Sequence, residues 1–187
     1  MQVPGFDHVA IAARSLAEGA RWLRDRLGVA PEPGGSHPLM GTHNMLLSLG
    51  PGEYLELIAI DPEAPAPARP RWFGLDRFDG PPRLAGWVAR ADPLVPPPGT
   101  TLAEASRGAL RWRITLPDGG QMPQDDARPM LIDWGTGAHP SDSLPDHGLR
   151  LARLTLPLDP LPLADPRLRH GDRFGVTLST PSGEVAL

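Results

Sequence analysis

Twenty-five of the 187 residues are proline, and this limits what the chain can fold into more than any other feature. Proline lacks the amide hydrogen that helices and ladders use, and its ring clashes with the preceding helical turn. Regular elements must therefore be short and connections numerous. Between the prolines, Gly5 to Ala13 reads as a short buried strand. Ser15-Leu-Ala-Glu18 follows with the form of a capping box, in which two side chains satisfy the orphan amides of a helix start. Leu16, Ala20, Leu23 and Leu27 recur on one face of that helix, and Gly28 supplies its left-handed end. Strands are then expected within Val29 to His37, at Asn44 to Leu49 and, most strongly, at Glu53 to Ile60, the last two joined by a Gly50-Pro-Gly52 turn. A strand, a helix and three strands thus fit into residues 1–62.

Residues 63–83 are rich in Pro, Ala and Arg, and Trp72-Phe73 with Phe78 marks them as a connector packed by its aromatics. The pattern then restarts over 84–187. Leu84 to Ala91 reads as a strand, and Thr101-Leu-Ala-Glu104 as a second capping box opening a shorter helix that ends at Gly108. Further strands are expected at Leu110 to Leu116, Met130 to Trp134, Leu149 to Leu156, Phe174 to Ser179 and Glu184 to Leu187. The weak likeness of the halves predicts a duplicated α+β domain spanning 1–187, because a curved sheet with one face covered needs a partner for the other.

Composition narrows the chemistry. A net charge of -4 argues against nucleic acid as a partner, since phosphate contacts need a basic surface. There is no Cys, so disulfides, thiolate nucleophiles and thiolate zinc sites are excluded. All eighteen basic side chains are Arg, which excludes Schiff-base chemistry and a phosphate-loop lysine. No run of about 18 apolar residues is present, and the N-terminus lacks a signal-peptide layout, so a cytoplasmic location away from membranes is expected. Nucleophile-elbow, dinucleotide-loop and His-Glu-x-x-His motifs are all missing. Small molecules are the expected partners.

Several segments together resemble the glyoxalase-like branch of the glyoxalase, bleomycin-resistance and dioxygenase (vicinal oxygen chelate) superfamily. They are Phe6-Asp-His-Val-Ala-Ile11, Gly34-Gly-Ser-His-Pro38 with Gly41-Thr-His-Asn44, and Tyr54-Leu-Glu-Leu-Ile58, then Leu110-Arg-Trp112, Pro129-Met-Leu-Ile-Asp-Trp134 and His139-Pro140. The resemblance implies paired βαβββ modules forming a curled mixed sheet around a central cleft, with the second module here shortened and irregular. It also implies a divalent metal in that cleft, held by the first-strand His and the fourth-strand Glu, His8 and Glu56.

Strand alternation reaches the same pair. His8 shares a face with Phe6 and Ala10, and Glu56 one with Tyr54, Ile58 and Ile60, so each is a polar group on an apolar stripe. A buried carboxylate needs a cation, a donor or water. Imidazole plus carboxylate suits Zn, Fe, Mn, Ni or Co. The second half departs from the superfamily's usual ligand set: alignment puts Trp87 opposite His8 and Leu187 opposite Glu56, and neither binds metal. His37 is the first choice for a third ligand and His43 the second. Asn44, Trp87, Trp134 and His139 are the expected substrate-binding residues.

Three readings follow. In the first, a metal-dependent lyase or isomerase acts on a small oxygenated metabolite and Glu56 moves the proton. In the second, a metal-free protein binds or sequesters a small molecule. In the third, His8, His37 and Glu56 hold ferrous iron in an extradiol-type dioxygenase. Closure of the cleft within one chain or across a homodimer is left open.

Overall fold

The computed structural model describes residues 5–124 and 126–187. The first half forms β1 (Gly5–Ala12), α1 (Leu16–Leu27), β2 (Glu32–His37), β3 (Thr42–Ser48) and β4 (Tyr54–Ile60), as its hydrophobic spacing predicts. The Ser15 side chain accepts from the Glu18 amide at 3.2 Å, and Gly28, at φ 76°, closes the helix by donating to the Arg24 carbonyl. The second half supplies β5 (Arg83–Arg90), β6 (Thr100–Arg107), β7 (Leu110–Pro117) and β8 (Met130–Asp133).

These eight strands make one sheet in the order β2-β3-β4-β1-β5-β8-β7-β6. β1 and β5 meet antiparallel at its centre, β4 lies parallel to β1, and β8 lies parallel to β5. An approximate two-fold between β1 and β5 therefore exchanges the halves. The edge strands β2 and β6 come into contact, so the sheet curls around a cleft.

The second helix expected at Thr101 to Gly108 is absent. Thr101 to Arg107 pairs residue by residue with β7 instead, and Gly108, at φ 56°, sits in the tight turn between the two strands. Two causes act together. Pro93, Pro96, Pro97 and Pro98 deny the preceding segment a helix, and a four-residue capping pattern is a weaker signal than a full ladder of cross-strand bonds.

The outer face of the second half is covered differently. β9 (Arg150–Leu156), β10 (Leu168–His170), β11 (Gly175–Thr180) and β12 (Gly183–Ala186) form a separate sheet in the order β10-β9-β11-β12. Its Leu151, Leu154, Val176 and Leu178 join the same core as Leu23 and Leu27 of α1. A small sheet thus does for one half what a helix does for the other. The inner face carries a second core, into which the connector drops Trp72, Phe73 and Leu75 from a 3-10 turn at Trp72–Arg77.

Close approach of α1 to β4 depends on Gly19, which is buried within the helix. A Cβ there would lie 2.2 Å from Leu57 Cδ1 and 3.0 Å from Ala13 Cβ, both in fully packed surroundings. Glycine-to-alanine ordinarily stabilises a helix interior. Here Gly19→Ala is expected to lower the unfolding free energy by about 1–3 kcal/mol through overpacking, measured by urea denaturation.

Candidate functional site

Four strands of the first half each send one polar side chain to the inner face: His8 from β1, His37 from the end of β2, Asn44 from β3 and Glu56 from β4. All four are buried. His8 Nε2 lies 3.7 Å from Glu56 Oε2, and His37 Nε2 lies 3.8 Å from Glu56 Oε1. Each imidazole is steered by its other nitrogen. His8 Nδ1 donates to Asp7 Oδ1 at 2.6 Å, and His37 Nδ1 stands 3.0 Å from Thr42 Oγ1.

Asn44 locks the cluster. Its Oδ1 accepts from the Gly35 amide at 3.0 Å, which fixes the side-chain orientation and turns Nδ2 inward. Nδ2 then donates to Glu56 Oε1 at 2.6 Å and lies 3.3 Å from His37 Nε2. His37 Nε2 is therefore the acceptor, and Nδ1 carries the proton toward Thr42. The glycines of Gly34-Gly-Ser-His have a physical purpose here, since a Cβ on Gly34 would sit 2.0 Å from Asn44 Oδ1.

Burial pushes the His37 imidazole down to about 4, against the pull of the Glu56 charge. The sign of its effect on stability follows. An unfolded chain takes up this proton near 6.5, the folded one only near 4, so the contribution is complete above pH 6.5 and disappears as pH falls toward 4. Urea unfolding between those limits should show roughly 3 kcal/mol of pH-dependent stability in the wild type that His37→Asn lacks.

Asp7 underlies the cluster, and strand alternation alone misses it. Phe6 pairs with Ala89 and His8 with Val88, so β1 carries a bulge at Asp7. The bulge sends Phe6 to the outer core, correcting the expectation that it shares a face with His8, which instead lies with Ala10 and Ala12. It also brings the fully buried Asp7 carboxylate under the His8 ring. Oδ2 accepts from Trp134 Nε1 at 3.1 Å, from Arg90 Nη1 at 3.3 Å and from His139 Nε2 at 3.3 Å. Burial alone would raise the pKa of this carboxyl, but hydrogen bonds from His139 and His8, with their charges, hold it well below the usual range. Tyr54 stacks on His8 with ring centroids 4.3 Å apart, and burial followed by the charges of Asp7 and Glu56 drives its phenol upward.

The second half lines the cleft with different chemistry. Cross-strand registers match Leu46↔Glu56 with Ile114↔Ile132, and the two-fold that exchanges His8 with Val88 places Ile132 at the Glu56 position. Trp112 stands where Asn44 does, and Arg107 ends β6 as His37 ends β2. The counterparts of His8 and Glu56 are thus Val88 and Ile132, not Trp87 and Leu187. Trp87 lies in the outer core and donates Nε1 to the Ala127 carbonyl at 2.8 Å, so it is no part of the cleft wall. Leu187 follows β12 in the small sheet, its amide bonded to the Val176 carbonyl.

Trp134 lines the cleft. His139 lies behind it, capping a 3-10 turn at Pro140–Asp142 and supporting Asp7. His43 is turned away, 4.0 Å from Asp61 Oδ1. The cavity itself is about 20 Å³, room for one water or ion. His8, His37 and Glu56 meet Arg107, Trp112 and Ile132 around it.

The donor set suits a transition metal by type: two imidazole nitrogens, each steered by an oxygen behind it, and one carboxylate. Among the described residues no group of three or more His, Asp or Glu stands in a ready coordination arrangement, because Asn44 Nδ2 occupies the gap between His37 and Glu56. His8 Nε2 and Glu56 Oε2 form the open pair.

No described helix is long and apolar enough to cross a membrane. Among solved structures, the chain is similar to a hypothetical protein from Staphylococcus aureus, at 12% identity over 82% of this chain and 69% of that one, with a TM-score of 0.51. It is also similar to methylmalonyl-CoA epimerase from Mycobacterium tuberculosis, at 20% identity over 68% of this chain and 85% of that one, with a TM-score of 0.43. At 12% identity the first likeness shows the fold alone. No curated protein matches the sequence. The model of the family described as "Glyoxalase-like domain" matches residues 6–169, and with this span, the duplicated curled sheet and the first-half His and Glu in one cleft, the chain belongs to that family.

Proposed function

We propose that this chain is a divalent-metal-dependent lyase or isomerase acting on a small oxygenated metabolite. One observation carries the reading: the Nε2 atoms of His8 and His37 both face the Glu56 carboxylate, at 3.7 and 3.8 Å, across a small buried cavity. His8 and Glu56 would hold the ion, with His37 joining once the Asn44 amide moves aside. A bound Zn, Fe, Mn, Ni or Co ion would supply Lewis acidity, acidifying a C–H beside a coordinated substrate oxygen. Glu56 is the proton carrier within reach, and Asn44 orients its carboxylate through Oε1. Trp112 and Trp134 exclude water from the transfer.

The test is titration of each metal into chelator-treated protein, followed by calorimetry. One equivalent binding tighter than micromolar is expected; weaker binding, or none, would overturn the reading. A second reading, metal-free binding of a small molecule, is favoured by the Asn44 bridge and by Val88 and Ile132 in the second half. It predicts ligand affinity unchanged by chelator. The dioxygenase reading uses the same three donors and predicts iron in the purified protein, with oxygen consumed on addition of a catechol.

A further inference from the structure

Another pocket, of about 410 Å³, lies on the connector between the halves and shares no lining residue with the cavity of His8 and Glu56. Its volume is within the range of about 300–1,000 Å³ usual for small-molecule sites. Three guanidinium groups line it, from Arg69, Arg71 and Arg77, against one carboxylate, from Asp76. Two positive charges are thus left over, in a chain whose net charge is -4. Arginine does not shed its proton in proteins, so the surplus is permanent.

The bonds already made leave donors to spare. Arg71 Nη1 donates to Asp76 Oδ1, and Arg77 Nη2 donates to Gln121 Oε1 at 2.8 Å. Among the described residues Arg69 makes no hydrogen bond and no ion pair. The backbone also holds these side chains ready. Arg69 and Arg71 flank Pro70, and Arg71 has φ -71° and ψ 144°, the values of polyproline II. Proline fixes its own φ and biases the residue before it toward extended backbone, so little freedom remains to be lost on binding. Beyond them, the Gly74 amide donates to the Gly120 carbonyl at 2.9 Å, which with the Arg77 bond fastens the connector to the turn after β7.

We propose that Arg69, Arg71 and Arg77 bind the phosphate group of a small phosphorylated metabolite. A phosphomonoester carries about -1.5 to -2 charges at neutral pH and matches the two uncompensated cations, whereas a carboxylate would leave one of them unmatched. Guanidinium forks also suit two-point contact with phosphate oxygens. At about 30 Å³ for each water displaced, the pocket holds more than a phosphate alone. Pro67, Ala68 and Pro70 line it too, and the organic part of the ligand rests against them.

Calorimetric titration of the full chain at low ionic strength tests this, with glycerol 3-phosphate, inorganic phosphate and acetate as probes. Glycerol 3-phosphate is expected to bind at least about 10-fold tighter than acetate, and more weakly as salt is added. Equal binding of the two, or binding indifferent to salt, would overturn the proposal. Inorganic phosphate binding tighter than glycerol 3-phosphate would overturn the assignment to a phosphorylated metabolite. Arg69→Gln should weaken glycerol 3-phosphate binding by about 10-fold or more, and Arg69→Lys, which keeps the charge but not the fork, by less. The exposed Arg77 supplies an independent variant, Arg77→Gln, with a similar loss expected. Cooperative melting of each variant near the wild-type Tm shows that the loss is one of binding. Affinity unchanged in both glutamine variants places the phosphate elsewhere and defeats the proposal.

Discussion

Replacement of Asp7 by alanine is expected to lower the unfolding free energy by about 3–5 kcal/mol, the range for removing one partner of a buried charged network. The carboxylate is fully buried and serves four donors, from His8, His139, Trp134 and Arg90. Alanine would strand the Trp134 indole N–H and leave Arg90 with only the Gly52 carbonyl. It would also free the His8 ring to turn. The cost is therefore mostly that of the donors left unpaired. Urea denaturation measures it, and a loss under 1 kcal/mol would show that Asp7 is not the support described.

His8→Ala is expected to weaken metal binding by at least about 100-fold, since loss of a protein ligand should exceed the 10- to 100-fold cost of losing a residue behind one. Asp7→Asn should fall within that smaller range, because it leaves the His8 nitrogen in place and removes only the charge that steers it. Calorimetric titration of the two variants beside the wild type reads both numbers. If His8→Ala binds as tightly as the wild type, the ion is held elsewhere and the catalytic reading falls. A cooperative thermal transition in each variant shows that lost affinity is not lost folding.

The first half was legible in the sequence because local and long-range signals agree there. Caps, apolar spacing and turn glycines all specify the strand, helix and three strands that form. In the second half they conflict. Thr101 to Glu104 looks like a helix start, yet the proline run before it and the pairing available along β7 make it a strand. That one misreading hid Arg107, which a helix would have placed beside a C-cap instead of at the end of a strand facing His37. Asp7 was hidden by something subtler. Alternation assumes an unbroken ladder, and a one-residue bulge reverses the face of everything before it. The single legible hint was an acid beside a histidine in an otherwise apolar strand, a charge with no evident partner. The assignment of Trp87 to the cleft failed by one position for a related reason: without pairing partners, the two-fold register can be guessed only to within a residue, and a residue is a whole face.

The unlike linings of the two halves give the cleft a direction. A scaffold repeated about a two-fold, if lined identically, would offer the same groups to a ligand in either of two orientations. This cleft opposes imidazole, amide and carboxylate on one side to guanidinium, indole and isoleucine on the other. A ligand contacting both sides therefore has one orientation that satisfies them. Its two ends are told apart on a backbone that is itself nearly symmetric.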